Sequence, residues 1–301
     1  MTTLRVALVA RPVPGRQGLR PGDLVAAHYL LARGDRHGVA RIPFAERVAA
    51  AGAAGFAGIG VQPPDYARSK ASGLTDRAMA EVLARNDVVL AEIDGAPWWP
   101  SDSSIVSAQD EVLRVGERFN VRLLNAAMPT IEGDGPTDAD LAASLARLAD
   151  RAASIGMLVG FEFLPWTSVR DVVHAHAIVS LASRPNLGVT VDVWHHSVSG
   201  VGSQALAAVP GSDIVSVQVT DGVRDASLSP LAETMVGRRL PGEGELPVVE
   251  VLRTLHAIGV RTPYSVEIVS LPHRHLPLEE WAVLAAGRVR EAADQAGVSR
   301  D

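Results

Sequence analysis

The chain has 301 residues, 47% of them hydrophobic and 21% charged, which is material for one large buried core. Thirty-four acidic residues against 28 basic ones leave a formal charge of −6, and this mild excess gives no support for a nucleic-acid or membrane-surface partner. Zero cysteines exclude disulfides and thiolate metal sites, so any metal here takes oxygen or imidazole ligands.

Along the chain, short β-rich runs alternate with longer Ala/Leu-rich segments of helical period. The first run, 4–9, is too short for a signal core or a membrane span, and the expected location is cytoplasmic. Residues 11–22 hold three prolines and three glycines and read as loop. The following run, 24–31, competes with 4–9 for the place of first strand. Further strands are expected at 58–62, 88–93, 121–126, 157–163, 187–193, 214–220 and 264–269. Helices are expected at 43–54, 75–85, 107–118, 137–155, 170–182, 203–208, 247–258 and 278–296. Thr137 with Asp138 and Asp140 marks one helix start. Pro247 and Gly259 bracket another. Eight strands each followed by a helix predict an α/β fold, a (β/α)8 TIM barrel in one domain over 1–301. Within it, 1–41 would hold an N-terminal strand and long loop, 42–269 the main barrel and 270–301 a C-terminal helix.

Four strands carry a polar residue near their C-terminal end: Glu162, Asp192, Gln218 and Glu267. The parity is consistent, with Gly160 and Glu162, Thr190 and Asp192, Ser216 and Gln218, and Ser265 and Glu267 on one side. Val159, Phe161 and Phe163, with Val215, Val217 and Val219, fall on the other. Strand ends form the catalytic face of such a barrel, so three carboxylates and an amide would meet at one mouth, with Asn125 the pocket candidate of strand four. Like charges gathered there raise one another's pKa unless a cation intervenes. An all-oxygen set of Glu162, Asp192, Gln218 and Glu267 favours one Mn²⁺ or Mg²⁺ over zinc. A single such acid is as often a salt-bridged structural residue; four strands in one register argue against coincidence.

His195, just past its strand, is expected to touch substrate, and His196 to be solvated loop. Trp98, Trp166 and Trp194 follow strands on the same face and suggest stacking surfaces for a ring. His28, Arg224 and Arg239 complete the candidate substrate contacts, although Arg224, Arg238 and Arg239, in the loop after strand seven, read better as surface charges.

These residues resemble the xylose-isomerase-like barrel superfamily of sugar phosphate isomerases and epimerases, over roughly 43–269. The resemblance rests on the run from Pro43 to Gly60, on Asp192-x-x-His195, on the loop from Leu240 to Pro247 and on Tyr264-Ser-Val-Glu267. It implies that Glu162, Asp192 and Glu267 ligate the metal and that His195 contacts a substrate oxygen. Gln218 stands where the family commonly has a histidine three residues before an aspartate, here Asp221. The implied function is a metal-dependent isomerase or epimerase acting on an α-hydroxy ketone or aldehyde through an enediolate, with Glu162 and Glu267 moving the proton. The same intermediate can lose a β-leaving group, so the alternative is a lyase or dehydratase of a keto-cyclitol, dehydroshikimate or oxidised glycoside. A DNA-repair endonuclease, which needs more zinc-binding histidines and a basic groove, and a non-catalytic subunit rank below both. The partner implied is a small sugar or cyclic polyol, and the resemblance leaves a homo-oligomer open.

Overall fold

The computed structural model describes residues 18–34, 39–99, 104–129, 135–269, 273 and 275–298. Eight parallel strands close into a barrel: β1 (Leu24–Ala26), β2 (Gly58–Val61), β3 (Val89–Asp94), β4 (Leu123–Ala127), β5 (Leu158–Glu162), β6 (Leu187–Asp192), β7 (Ile214–Val219) and β8 (Tyr264–Val266). They follow one another in chain order, and β8 closes onto β1 with Tyr264 opposite Leu24. Parallel strands joined by helices are covered on both faces, which accounts for the Val- and Leu-rich runs. Every residue of β2, β5, β6 and β7 is buried.

The run 24–31 divides in two. Leu24–Ala26 is the first barrel strand and His28–Ala32 a short helix, so the barrel begins upstream of residue 42. The competing strand at 4–9 lies outside the described residues. The expected helices form as Phe44–Ala53, Asp76–Arg85, Ser104–Arg118, Asp138–Ala153, Val172–Ala182, Ser203–Ala207, Val248–Ala257 and Leu278–Gln295. Thr137 caps Asp138–Ala153 reciprocally: its Oγ1 accepts from the Asp140 N–H at 3.2 Å, and Asp140 accepts from the Thr137 N–H at 3.0 Å. Two further helices, Pro63–Ala71 and Pro230–Gly237, lie outside the expected set, and each opens on a proline at its first turn. No helix among the described residues is long and apolar enough to cross a membrane.

The inside–outside alternation holds for β5. Phe161 packs outward against Trp98 with ring centroids 5.6 Å apart, and burying such a side chain contributes ~2 kcal/mol. Gly160 faces inward, where a Cβ would lie 2.3 Å from the Thr190 Oγ1. In β7 the alternation slips. Val189 pairs with Ile214 but Thr190 with Ser216, which leaves Val215 as an extra residue. Val215 therefore turns inward to meet Leu123 and Leu158 in a small separate cluster, instead of joining Val217 and Val219 against the helices. Beneath it, Arg122 donates to the Val215 carbonyl at 3.0 Å and to Thr262 Oγ1 at 2.9 Å. Glu92 of β3 also points inward and accepts from Ser265 Oγ at 2.7 Å. Burial pushes the Glu92 carboxyl up to about 7, with the Ser265 hydrogen bond opposing and the Asp94 charge adding.

Candidate active site

Glu162 and Asp192 end their strands, Gln218 lies one residue before the end of β7, and Glu267 directly follows β8. Asp192 also caps the short helix Val193–Val198, its Oδ1 accepting from the His195 N–H at 3.2 Å. That turn of helix carries the His195 ring to Glu162, with Nε2 3.3 Å from Oε1. The other Glu162 oxygen accepts from Asn125 Nδ2 at 2.6 Å, and the Asn125 Oδ1 accepts from Thr190 at 2.8 Å. Because a carboxylate can only accept, these bonds fix which way the Asn125 amide faces.

Arg238 completes the cluster, and its place differs from the surface position read in the sequence. After β7 the chain forms a two-residue antiparallel ladder, Asp221–Gly222 against Arg238–Arg239, that returns Arg238 to the barrel mouth. Its Nη1 donates to Asp192 Oδ2 at 2.8 Å and to the Glu267 carbonyl at 3.0 Å, and lies 3.8 Å from Glu267 Oε2. Asp221 anchors the following loop, accepting from the N–H groups of Gly222 (2.7 Å), Gly242 (2.9 Å), Gly244 (3.0 Å) and Leu246 (3.0 Å). Gly244 is confined to glycine, since a Cβ there would sit 2.3 Å from Asp221 Oδ1.

Burial drives the Glu267 carboxyl well above the usual carboxylate range; Arg238 opposes this and the Glu162 charge adds to it. Burial also raises Glu162, against the His195 hydrogen bond. Burial alone would raise Asp192 too, but Arg238 and His195 beside it hold it below its ordinary value. The arrangement thus sets two carboxyls of raised proton affinity, Glu162 and Glu267, beside one of lowered affinity, Asp192.

A cavity of about 230 Å³ opens above these groups, with Gln62, Asp94, Glu162, His195, Arg238 and Glu267 on its polar side. Leu164, Trp166, Met235 and Val269 supply the apolar wall, and Trp166 meets the His195 ring edge-on at 5.2 Å. The other predicted contacts stand elsewhere. Trp98 is buried in the helix layer, donating to the Ala127 carbonyl at 2.8 Å. Trp194 is 1% exposed and fills the space left by Gly222 and Gly237, where a Cβ would come within 2.5 Å of its ring. Arg224 reaches outward to Glu233 at 2.7 Å, and Arg239 donates to the Val236 and Arg238 carbonyls. His28 sits under the mouth, its Nδ1 4.0 Å from Asp65. His196 is buried at 2% exposure, not solvated, and burial lowers its pKa. Asp94 and Gln62 escaped the sequence reading. The expected strand stopped at 93, one residue short of an acid that shares the parity of Glu92.

A family model described as the xylose isomerase-like TIM barrel matches residues 46–292. The chain belongs to that family. Within the xylose isomerase-like barrels, it is 32% identical over 144 residues to a 3-dehydroshikimate dehydratase of Pseudomonas aeruginosa, covering 48% of this chain and 23% of that one. It is 28% identical over 138 residues to an inosose isomerase of Bacillus subtilis, covering 45% of this chain and 49% of the relative. The matches thus span under half the length of either relative. Among solved structures, the IOLI protein with a bound zinc atom superimposes with a TM-score of 0.79 at 17% identity, over 91% of this chain and 99% of that one. A xylose isomerase-like TIM barrel/4-hydroxyphenylpyruvate dioxygenase fusion protein gives 0.80 at 21% identity, over 92% of this chain and 43% of that one.

The donor set of this xylose isomerase-like barrel fits a divalent cation. Glu162, Asp192 and His195 each offer one ligand atom, all within 4.8 Å of one another, and this buried group could hold a metal ion. Gln218 stands opposite Asp192 in the β6–β7 register, and its buried Oε1 has no hydrogen-bond partner among the described residues. A buried carbonyl left unsatisfied costs ~1–3 kcal/mol, a cost that a cation beside it would remove.

Proposed function

We propose that this chain is a lyase that dehydrates a cyclic hydroxy-ketone, by taking a proton from the carbon beside the carbonyl and expelling water from the next carbon. One observation carries the reading: two buried carboxyls that can each exchange a proton with a substrate, Glu267 and Glu162 with the His195 ring 3.3 Å from it, line the same 230 Å³ cavity. That volume lies below the roughly 300–1,000 Å³ typical of drug-sized ligands and suits one ring without a bulky aglycone. The kinship to a 3-dehydroshikimate dehydratase and an inosose isomerase supports the substrate class.

Glu162, Asp192 and Gln218, with His195 at the rim, would hold a divalent ion. When bound, such an ion supplies polarisation of the substrate carbonyl and acidifies the adjacent C–H. Glu162, steadied by Asn125 and faced by His195 Nε2 at 3.3 Å, accepts the proton and is neutralised by it. Glu267, which burial pushes toward its protonated form, donates to the departing hydroxyl, so the hydroxyl leaves as water. Trp166 and Leu164 cover the ring and keep bulk water from the reacting carbon.

The isomerase reading stands as a second outcome of the same proton abstraction, favoured by the inosose isomerase kinship. Incubation of the Mn²⁺- or Mg²⁺-loaded protein with 3-dehydroshikimate and with inosose separates the two. Loss of one water from the product mass supports the lyase. An unchanged mass with deuterium incorporated from D₂O supports the isomerase. No reaction with either ring removes both.

A further inference from the structure

Gln62 and Asp94 stand at the ends of β2 and β3, apart from the proposed ligands, and both line the cavity. Their hydrogen bonds fix what they can still offer. Gln62 Nε2 donates to Asp94 Oδ2 at 2.9 Å, and Asn125 Nδ2 donates to Asp94 Oδ1 at 3.1 Å. A carboxylate can only accept, so the Gln62 amide turns its nitrogen to Asp94, uses one of its two N–H groups there and keeps its carbonyl oxygen for another partner. Each Asp94 oxygen likewise retains a lone pair beyond the bond it already accepts. This corner of the wall is therefore rich in acceptors, held in place by two amides.

We infer that Gln62 and Asp94 form a subsite that reads vicinal hydroxyl groups on the substrate ring. The inference rests on the proposed chemistry for the orientation of the ring, but the subsite's own preference follows from its atoms. Hydrogen-bond donors complement it best. Two neighbouring hydroxyls satisfy Asp94 and Gln62 together, whereas a carboxylate or phosphate placed there would face the Asp94 carboxylate with a single Gln62 N–H to receive it. An anionic group on the ring must then lie elsewhere in the cavity. Asp94 is a specificity-determining residue in this scheme, since a built acceptor pair loses its partner when the hydroxyl is missing.

The test measures binding of inert ring polyols, shikimate and myo-inositol, by calorimetry to the metal-loaded protein and to its Asp94→Asn and Gln62→Met variants. It is run beside steady-state kinetics on 3-dehydroshikimate and inosose. Hydrogen bonds to a charged acceptor predict a loss of roughly 10- to 100-fold in affinity for a ring diol in Asp94→Asn, and a smaller loss in Gln62→Met. For whichever ring reacts, KM should rise with kcat nearly unchanged, and the preference for the parent ring over its deoxy analogue should collapse. A fall in kcat with unchanged KM, or equal losses for parent and deoxy rings, would overturn the inference and make Asp94 a support for Asn125 and Glu162. Polyol binding that depends on Asp94 without turnover of either ring would uphold the subsite while removing the proposed reaction. Binding of both polyols unaffected by either variant would remove the subsite alone.

Discussion

Replacing Glu92 by glutamine tests the barrel interior through its pH dependence. The Glu92 carboxyl titrates at about 7 in the folded protein against an ordinary 4.5. Folding therefore holds a proton that the unfolded chain gives up near pH 4.5, and stability falls as pH rises through the window from 4.5 to 7, then levels off. At about 1.4 kcal/mol per pH unit the whole window costs the wild type about 3 kcal/mol, of which roughly 2.5 is lost between pH 5 and pH 8. Glutamine keeps an acceptor for Ser265 Oγ and never ionises, so the Glu92→Gln variant escapes this loss. Urea unfolding of both proteins at several pH values, in chelator, gives the difference in free energy at each. Glu162 and Glu267 titrate in both proteins and largely cancel. The expected result is an advantage for Glu92→Gln that grows by about 2.5 kcal/mol from pH 5 to pH 8. A difference that stays constant with pH would refute the reasoning, because it would mean that Glu92 ionises as freely inside the barrel as outside it.

Arg238→Met should destabilise the metal-free protein by ~3–5 kcal/mol, since Asp192 is left buried and charged, and Mn²⁺ should restore much of the melting temperature. Unchanged melting in chelator would argue against the ion pair. Glu267→Gln removes the proposed acid and should lower kcat by roughly 10²–10⁴-fold, with circular dichroism unchanged. Gln218→His exchanges an amide oxygen for imidazole and should raise affinity for zinc relative to Mg²⁺, read by competition with a chromogenic chelator. Gly244→Ala forces a Cβ against Asp221 and should cost several kcal/mol, measured by thermal melting.

Most of the scaffold was legible because burial on both faces writes itself as apolar runs, and the helices carry caps such as Thr137 and Gly259. The acids at the strand ends were legible for the same reason: Glu162, Asp192 and Glu267 interrupt runs that otherwise have no use for charge. The inward turn of Val215 was hidden, since a bulge depends on pairing with β6, and periodicity within β7 alone continues unbroken. Arg238 was hidden as well. Its sequence neighbours place it in a polar loop, and only the ladder with Asp221–Gly222 turns it back onto Asp192. The tryptophans show the opposite error. Trp98 and Trp194 follow strands on the correct face, but large apolar rings fill the nearest void, and for these two the void lies behind the mouth.

The four N–H groups gathered by Asp221 have a consequence for how such a barrel can change. They fasten both ends of the chain between Gly222 and Gly242 to the top of β7, so residues 223–241 form an insert clamped at its base. That insert brings Thr234, Met235 and Arg238 to the cavity wall. With Gly237 and Arg238 kept, the rest of its length and composition can therefore be varied by design while the clamp and the eight strands stay as they are. One segment of the gene thus suffices to retune the roof of the cavity without rewriting the barrel beneath it.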